Sequence, residues 1–170
     1  MAGLALRGAP RVAIAAAALV LAAVAVGALS TASDRREAEL GARAFDGRDP
    51  LRARVDGHDA PLPAAAVACA NCHLPDPGPA RASAAGAPPG GGASFGPRLD
   101  RASLTVDAAR RGGPPSRFDR VSFCRTLRTG EDPAGVLLPR AMPRYEIDDA
   151  GCDRLWRHLM RVDPPPASIR

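Results

Sequence analysis

Cys69-Ala70-Asn71-Cys72-His73 is the stretch from which the rest of the chain is read. Two cysteines separated by two residues on a helical turn can add their sulfurs across the two vinyl groups of a haem. The residue that follows, here His73, then projects toward the iron as an axial ligand. Because the spacing fixes the chemistry, this pattern is among the more specific short motifs. Two other uses of a cysteine pair fit less well. A thioredoxin-like dithiol opens a helix after a strand, whereas Pro75 and Pro77 stop a helix here and no strand precedes. A zinc site needs two more ligands, and Cys124 and Cys152 stand far away, without histidines at finger spacing.

A second axial ligand must come from elsewhere in the chain, and four residues are candidates: Met142, Met160, His58 and His158. Met142 lies in Arg140-Ala141-Met142-Pro143-Arg144-Tyr145, a non-helical segment fixed by proline, where a loop can press a thioether onto the iron. Met160 shares a helical stripe with Trp156 at a spacing of four, which core packing explains. His158 falls off that stripe and reads as solvated. His58 sits in a polar stretch and reads as a surface residue. Met142 is therefore the expected ligand opposite His73.

Working outward, Asp34 with Glu37 three residues on is a helix-start signature, and Leu40, Gly41, Ala44 and Phe45 recur on one face before Gly47. The pattern predicts a first helix over 34–46. A proline-bearing connection leads to a short helical turn from Ala64 that carries the cysteine pair. After His73 an alanine, glycine and proline tract over 75–94 reads as a long surface loop. Ser116 with Asp119 predicts the start of a second helix, with Val121, Cys124 and Leu127 on one face and Gly130 closing it. The last helix carries Cys152, Leu155, Trp156, Leu159 and Met160 as an apolar stripe. No alternating run is long enough for a core strand, and no internal repeat is visible. The expected fold is mainly α: three to five helices and long loops wrapped around one covalent haem.

At the amino terminus Arg7 and Arg11 precede an uncharged run from Val12 to Leu29, after which charge returns at Asp34. Residues 1–32 read as a signal peptide or an uncleaved membrane anchor, with the remainder on the far side of the membrane from the arginines. That leaves about 135 residues, enough for one domain over 33–163 and a short tail over 164–170. Only 4% of residues are aromatic against 18 prolines and 17 glycines, so side chains alone make a thin core that a large cofactor would fill. All 23 basic residues are arginine, and the formal charge of +5 is too weak and too dispersed to indicate nucleic acid.

These residues together resemble the class I c-type cytochromes, the small monohaem domains of bacterial electron-transfer chains. The resemblance rests on the first helix with Gly41 and Phe45, the motif at 69–73, Leu127-Arg128-Thr129-Gly130-Glu131-Asp132-Pro133, the Met142-Pro143-Arg144-Tyr145 segment and the last helix with Leu155, Trp156 and Leu159. It implies that the first and last helices cross at a small-residue contact, pairing Gly41 and Phe45 with Trp156. The attachment motif lies early and the methionine late, as in class I. The tract after His73 departs from the pattern.

Cys124 and Cys152 stand one on each of the last two helices, and an oxidising compartment favours joining them. A disulfide there would stabilise by about 3 kcal/mol on the chain-entropy model and brace the Met142 loop between its ends; two buried thiols are the alternative. Iron held by His73 and Met142 is six-coordinate and offers no open site, so the expectation is a non-enzymatic carrier of single electrons between a redox donor and acceptor. It would be located on the periplasmic side of the bacterial inner membrane, soluble after signal cleavage or anchored, and loaded by the haem-attachment machinery. Two further readings remain: a haem subunit of a membrane dehydrogenase or oxidase complex, and a haem sensor or enzyme with a displaceable sixth ligand.

Overall fold

The computed structural model describes residues 9–73 and 96–162. The tract at 75–94 and the tail at 164–170 lie outside them. The chain divides into two compact units, Met1–Arg36 and Glu37–Arg170.

The first unit is formed by the amino-terminal part of α1 (Ala9–Phe45). Its apolar stretch is long and apolar enough to cross a membrane, with a mean hydropathy of 2.0, as a signal sequence also is. The described side chains from Ala16 to Arg36 are exposed. The expected helix start at Asp34 is corrected here, because Asp34 lies inside α1. No proline or glycine pair interrupts the alanine-rich run before it, so the helix simply continues. Its end is where the sequence puts it, beside Gly47 at φ +76°.

The second unit is mainly helical, and its pieces are short. After α1 come β1 (Arg52–Arg54), two 3-10 turns at Ala64–Ala66 and Cys69–Asn71, α2 (Arg101–Thr105), β2 (Ala108–Ala109), β3 (Pro115–Ser116), α3 (Arg120–Thr129), β4 (Arg144–Glu146) and α4 (Asp149–Leu159). The strands form two antiparallel pairs, β1 with β4 and β2 with β3. Ala53 is opposite Tyr145 in the first, which sets the segment after Met142 beside the segment after α1.

Capping decides where the helices begin. Asp119, not Ser116, starts α3: its carboxylate accepts from the Ser122 N–H at 2.7 Å while Ser122 Oγ accepts from the Asp119 N–H at 2.9 Å. Ser116 belongs to β3 instead. The same reciprocal pair, Asp100 with Ser103, opens α2. Gly130 closes α3 in the left-handed conformation, and Asp148 caps α4 by accepting from the Gly151 N–H at 2.7 Å.

The core gathers Phe45, Ala53, Val67, Leu104, Phe123, Leu127, Tyr145, Leu155 and Leu159 with three cysteines, Cys69, Cys124 and Cys152. The buried face of α3 is Phe123, Cys124 and Leu127; Val121 is 67% exposed, so its expected place on that face is wrong by a fraction of a turn. On α1, Ala38, Gly41 and Phe45 are buried at helical spacing. Gly41 lies against the backbone of α4: a Cβ there would stand 2.0 Å from the Arg154 carbonyl oxygen, so only glycine permits the crossing. An ion pair from Arg154 to Glu37, 2.8 Å long, runs beside it. The crossing pairs Phe45 with His158, ring centroids 5.4 Å apart, rather than with Trp156, which packs on Phe123. His158 is thus half-buried, not solvated, and burial lowers its pKa.

Candidate functional site

Cys69, Cys72 and His73 come together on one tight turn. The Cys69 carbonyl accepts two N–H groups, from Cys72 at 3.1 Å and from His73 at 2.8 Å, which coils the motif back on itself. Asn71 steadies the turn from outside by donating its side-chain amide to the Ala65 carbonyl at 2.8 Å. Cys69 is buried, Cys72 half-buried and His73 only 7% exposed.

The His73 ring is held by a segment that returns from well down the chain. Its Nδ1 lies 2.7 Å from the Pro97 carbonyl oxygen. A carbonyl only accepts, so Nδ1 carries the proton in this pair, and burial lowers the histidine's pKa toward the neutral form. A neutral imidazole protonated at Nδ1 keeps its remaining lone pair on Nε2, the state in which histidine binds a metal. Gly96 lies against the ring: a Cβ at that position would stand 2.3 Å from Cε1, 2.4 Å from Nδ1 and 2.9 Å from Nε2. The Gly96 N–H bonds the Cys72 carbonyl at 2.9 Å, closing the segment onto the motif.

Burial also sets the chemistry of Cys69. It pushes the Cys69 thiol up to about 11, against a smaller lowering from Tyr145. A redox-active dithiol needs the opposite, a thiolate favoured near neutral pH. Among the described residues no group of three or more histidines, cysteines, aspartates or glutamates gathers as a bare metal ion would require.

Tyr145 joins this turn to the Met142 segment. Its hydroxyl donates to the Val67 carbonyl at 2.9 Å and lies 3.8 Å from Cys69 Sγ. Burial raises the Tyr145 pKa strongly, so the phenol stays protonated. Met142, three residues earlier, is half-buried and packs against the same core, with its N–H on the Pro139 carbonyl at 3.0 Å. Met160 also packs there, at the carboxyl cap of α4, and His58 is exposed. Cys124 and Cys152 form a disulfide across 28 positions with a Cα separation of 5.8 Å, so the thiol alternative for this pair is set aside.

Gly96, Pro97, Arg144 and Tyr145 carry no motif signal that marks them as part of the site. Each acts across a long stretch of chain or through backbone atoms, and composition marks neither. No protein-family model, curated protein or solved structure matches the chain.

Proposed function

We propose that this protein is an exported monohaem c-type cytochrome that carries single electrons between redox partners. The observation that carries the reading is the His73 ring: buried, tied through Nδ1 to the Pro97 carbonyl, and next in sequence to Cys72 on a turn shared with Cys69. The donor set suits the group. Two thiols on one turn would form the thioether links, an imidazole of fixed tautomer would offer its Nε2 to the iron, and a glycine against the ring leaves no side chain to crowd it. The mainly helical second unit is compatible with a small cytochrome c fold.

When bound, haem supplies a one-electron iron couple. Cys69 and Cys72 would hold it covalently, and His73 through Nε2 and Met142 through its thioether would bind the iron. Methionine opposite histidine favours the ferrous state over a second histidine, so the potential should be comparatively high. With His73 and Met142 both holding the iron, no residue of this chain would act catalytically. The apolar helix of the first unit serves this reading equally as a cleaved export signal or as a membrane anchor.

Ligand binding separates carrier from sensor or enzyme. The reduced protein, exported with its haem, is expected to bind carbon monoxide slowly and incompletely at neutral pH. Rapid stoichiometric binding would mean an open sixth position and would overturn the carrier function.

A further inference from the structure

Arg144 is the feature that the electron-carrier reading leaves unused. It is 7% exposed, and no carboxylate among the described residues pairs with it. Its guanidinium donates instead to two backbone carbonyls, through Nη1 to Met142 at 2.7 Å and through Nη2 to Leu138 at 3.4 Å. These carbonyls are the two ends of the turn 138–142. Inside that turn the Met142 N–H reaches back to the Pro139 carbonyl, and at its start the Leu138 N–H bonds the Gly130 carbonyl at 2.7 Å.

Gly130 is the floor on which the guanidinium rests. A Cβ there would stand 2.0 Å from Cζ, 2.1 Å from Nε and 2.3 Å from Nη2, and the left-handed φ of +77° is a second reason for glycine. The helix end that Gly130 caps, the turn and the first residue of β4 are therefore locked together by one planar side chain. An apolar residue would fill this volume without burying a charge. What an arginine adds is a rigid fork of donors able to take two carbonyls at once, which a lysine cannot match.

We propose that Arg144 is a positioning residue that fixes the Met142 turn so that the thioether is held on the iron. The proposal rests on the reading of Met142 as the second axial ligand. Without the fork, the turn gains freedom and the ligand-on state loses population, which an added ligand competing for the same position would report.

The test compares the exported, haem-loaded protein with Arg144→Gln and Arg144→Lys, measuring the far-red methionine-to-iron band of the oxidised form and the affinity for added imidazole, well below the melting temperature. Arg144→Gln is expected to weaken the band and bind imidazole at least tenfold more tightly, with Arg144→Lys in between. A residue that only packs would lower melting and leave imidazole affinity unchanged. A wild type that shows the band, with imidazole affinity unchanged in both variants, overturns the role of Arg144. A wild type without the band overturns the Met142 reading itself, a different result. Should Arg144→Gln yield no loaded protein, Arg144→Lys decides alone: several-fold tighter imidazole supports the proposal, unchanged affinity overturns it.

Discussion

The two halves of the candidate site are held by different means. On the His73 side the hold is local and mostly backbone: one carbonyl coils the motif, one carbonyl orients the ring, and a glycine lies against it. On the Met142 side the hold is distributed. The Cys124–Cys152 disulfide ties α3 to α4 on either side of the segment, β4 pairs with β1, and Arg144 clasps the turn. A local hold with no slack fails all at once when one atom is misplaced. A distributed hold loosens by degrees, because each restraint removed leaves the others.

The largest effect should come from the local side. Gly96→Val places a side chain into the His73 ring, so the ring or the Pro97 carbonyl must move; overpacking of this kind costs about 1 to 3 kcal/mol even where no ligand depends on it. The expected result is almost no haem-loaded protein by its haemochrome spectrum. Normal loading would remove the distinction between the two halves.

Next comes the disulfide. Replacing Cys124 and Cys152 together by alanine should cost about 3 kcal/mol, lowering the melting temperature by on the order of 10 °C. The protein should still load haem but bind imidazole more tightly, sharpening the contrast with Gly96→Val. Unchanged melting and unchanged imidazole affinity would show that the bridge restrains nothing.

The smallest effect concerns the start of α3. Hydrogen bonds from the Ser122 backbone and side chain hold the Asp119 carboxyl below the usual aspartate range. A pKa depressed in the folded state means stability that is full above the unfolded value, about 3.9, and is lost as pH falls through the lower folded one. Asp119→Asn keeps an acceptor and removes the charge, so its melting temperature should fall slightly less between neutral pH and about pH 3 than the wild type's. Parallel curves would assign the acid sensitivity elsewhere.

Much of this was legible in the sequence where the signal is local. The turn at 69–73, the end of α1 at Gly47, the closure of α3 at Gly130 and the stripe of α4 each follow from neighbouring residues. α2 lies outside the helices that the apolar periodicity predicts, although Asp100 and Ser103 carry the same spacing of cap and partner that starts α3. Ser116 and Asp119 are equivalent as helix starts in the sequence, because a serine and an aspartate at that spacing look the same in either order; β3 claims the serine, and the helix starts three residues later. The contacts that build the site are another matter. His73 meets Pro97 across 24 positions and Tyr145 meets Val67 across 78, so no window along the chain contains both partners. Arg144 reads as a surface residue because arginine nearly always is one. Its burial becomes visible only when Gly130 and the carbonyls of the Met142 turn surround it.

The central claim is covalent haem on Cys69 and Cys72 with His73 and Met142 as the axial pair, and one absorption measurement meets it directly. The exported protein is to be recorded oxidised and reduced, then treated with acid and organic solvent to extract loose haem. The account predicts haem that resists extraction, a low-spin reduced spectrum and a far-red methionine-to-iron band in the oxidised state. That band should vanish in Met142→Ala while the covalent haem remains. A purified chain without haem, or with haem that extracts freely, would contradict it.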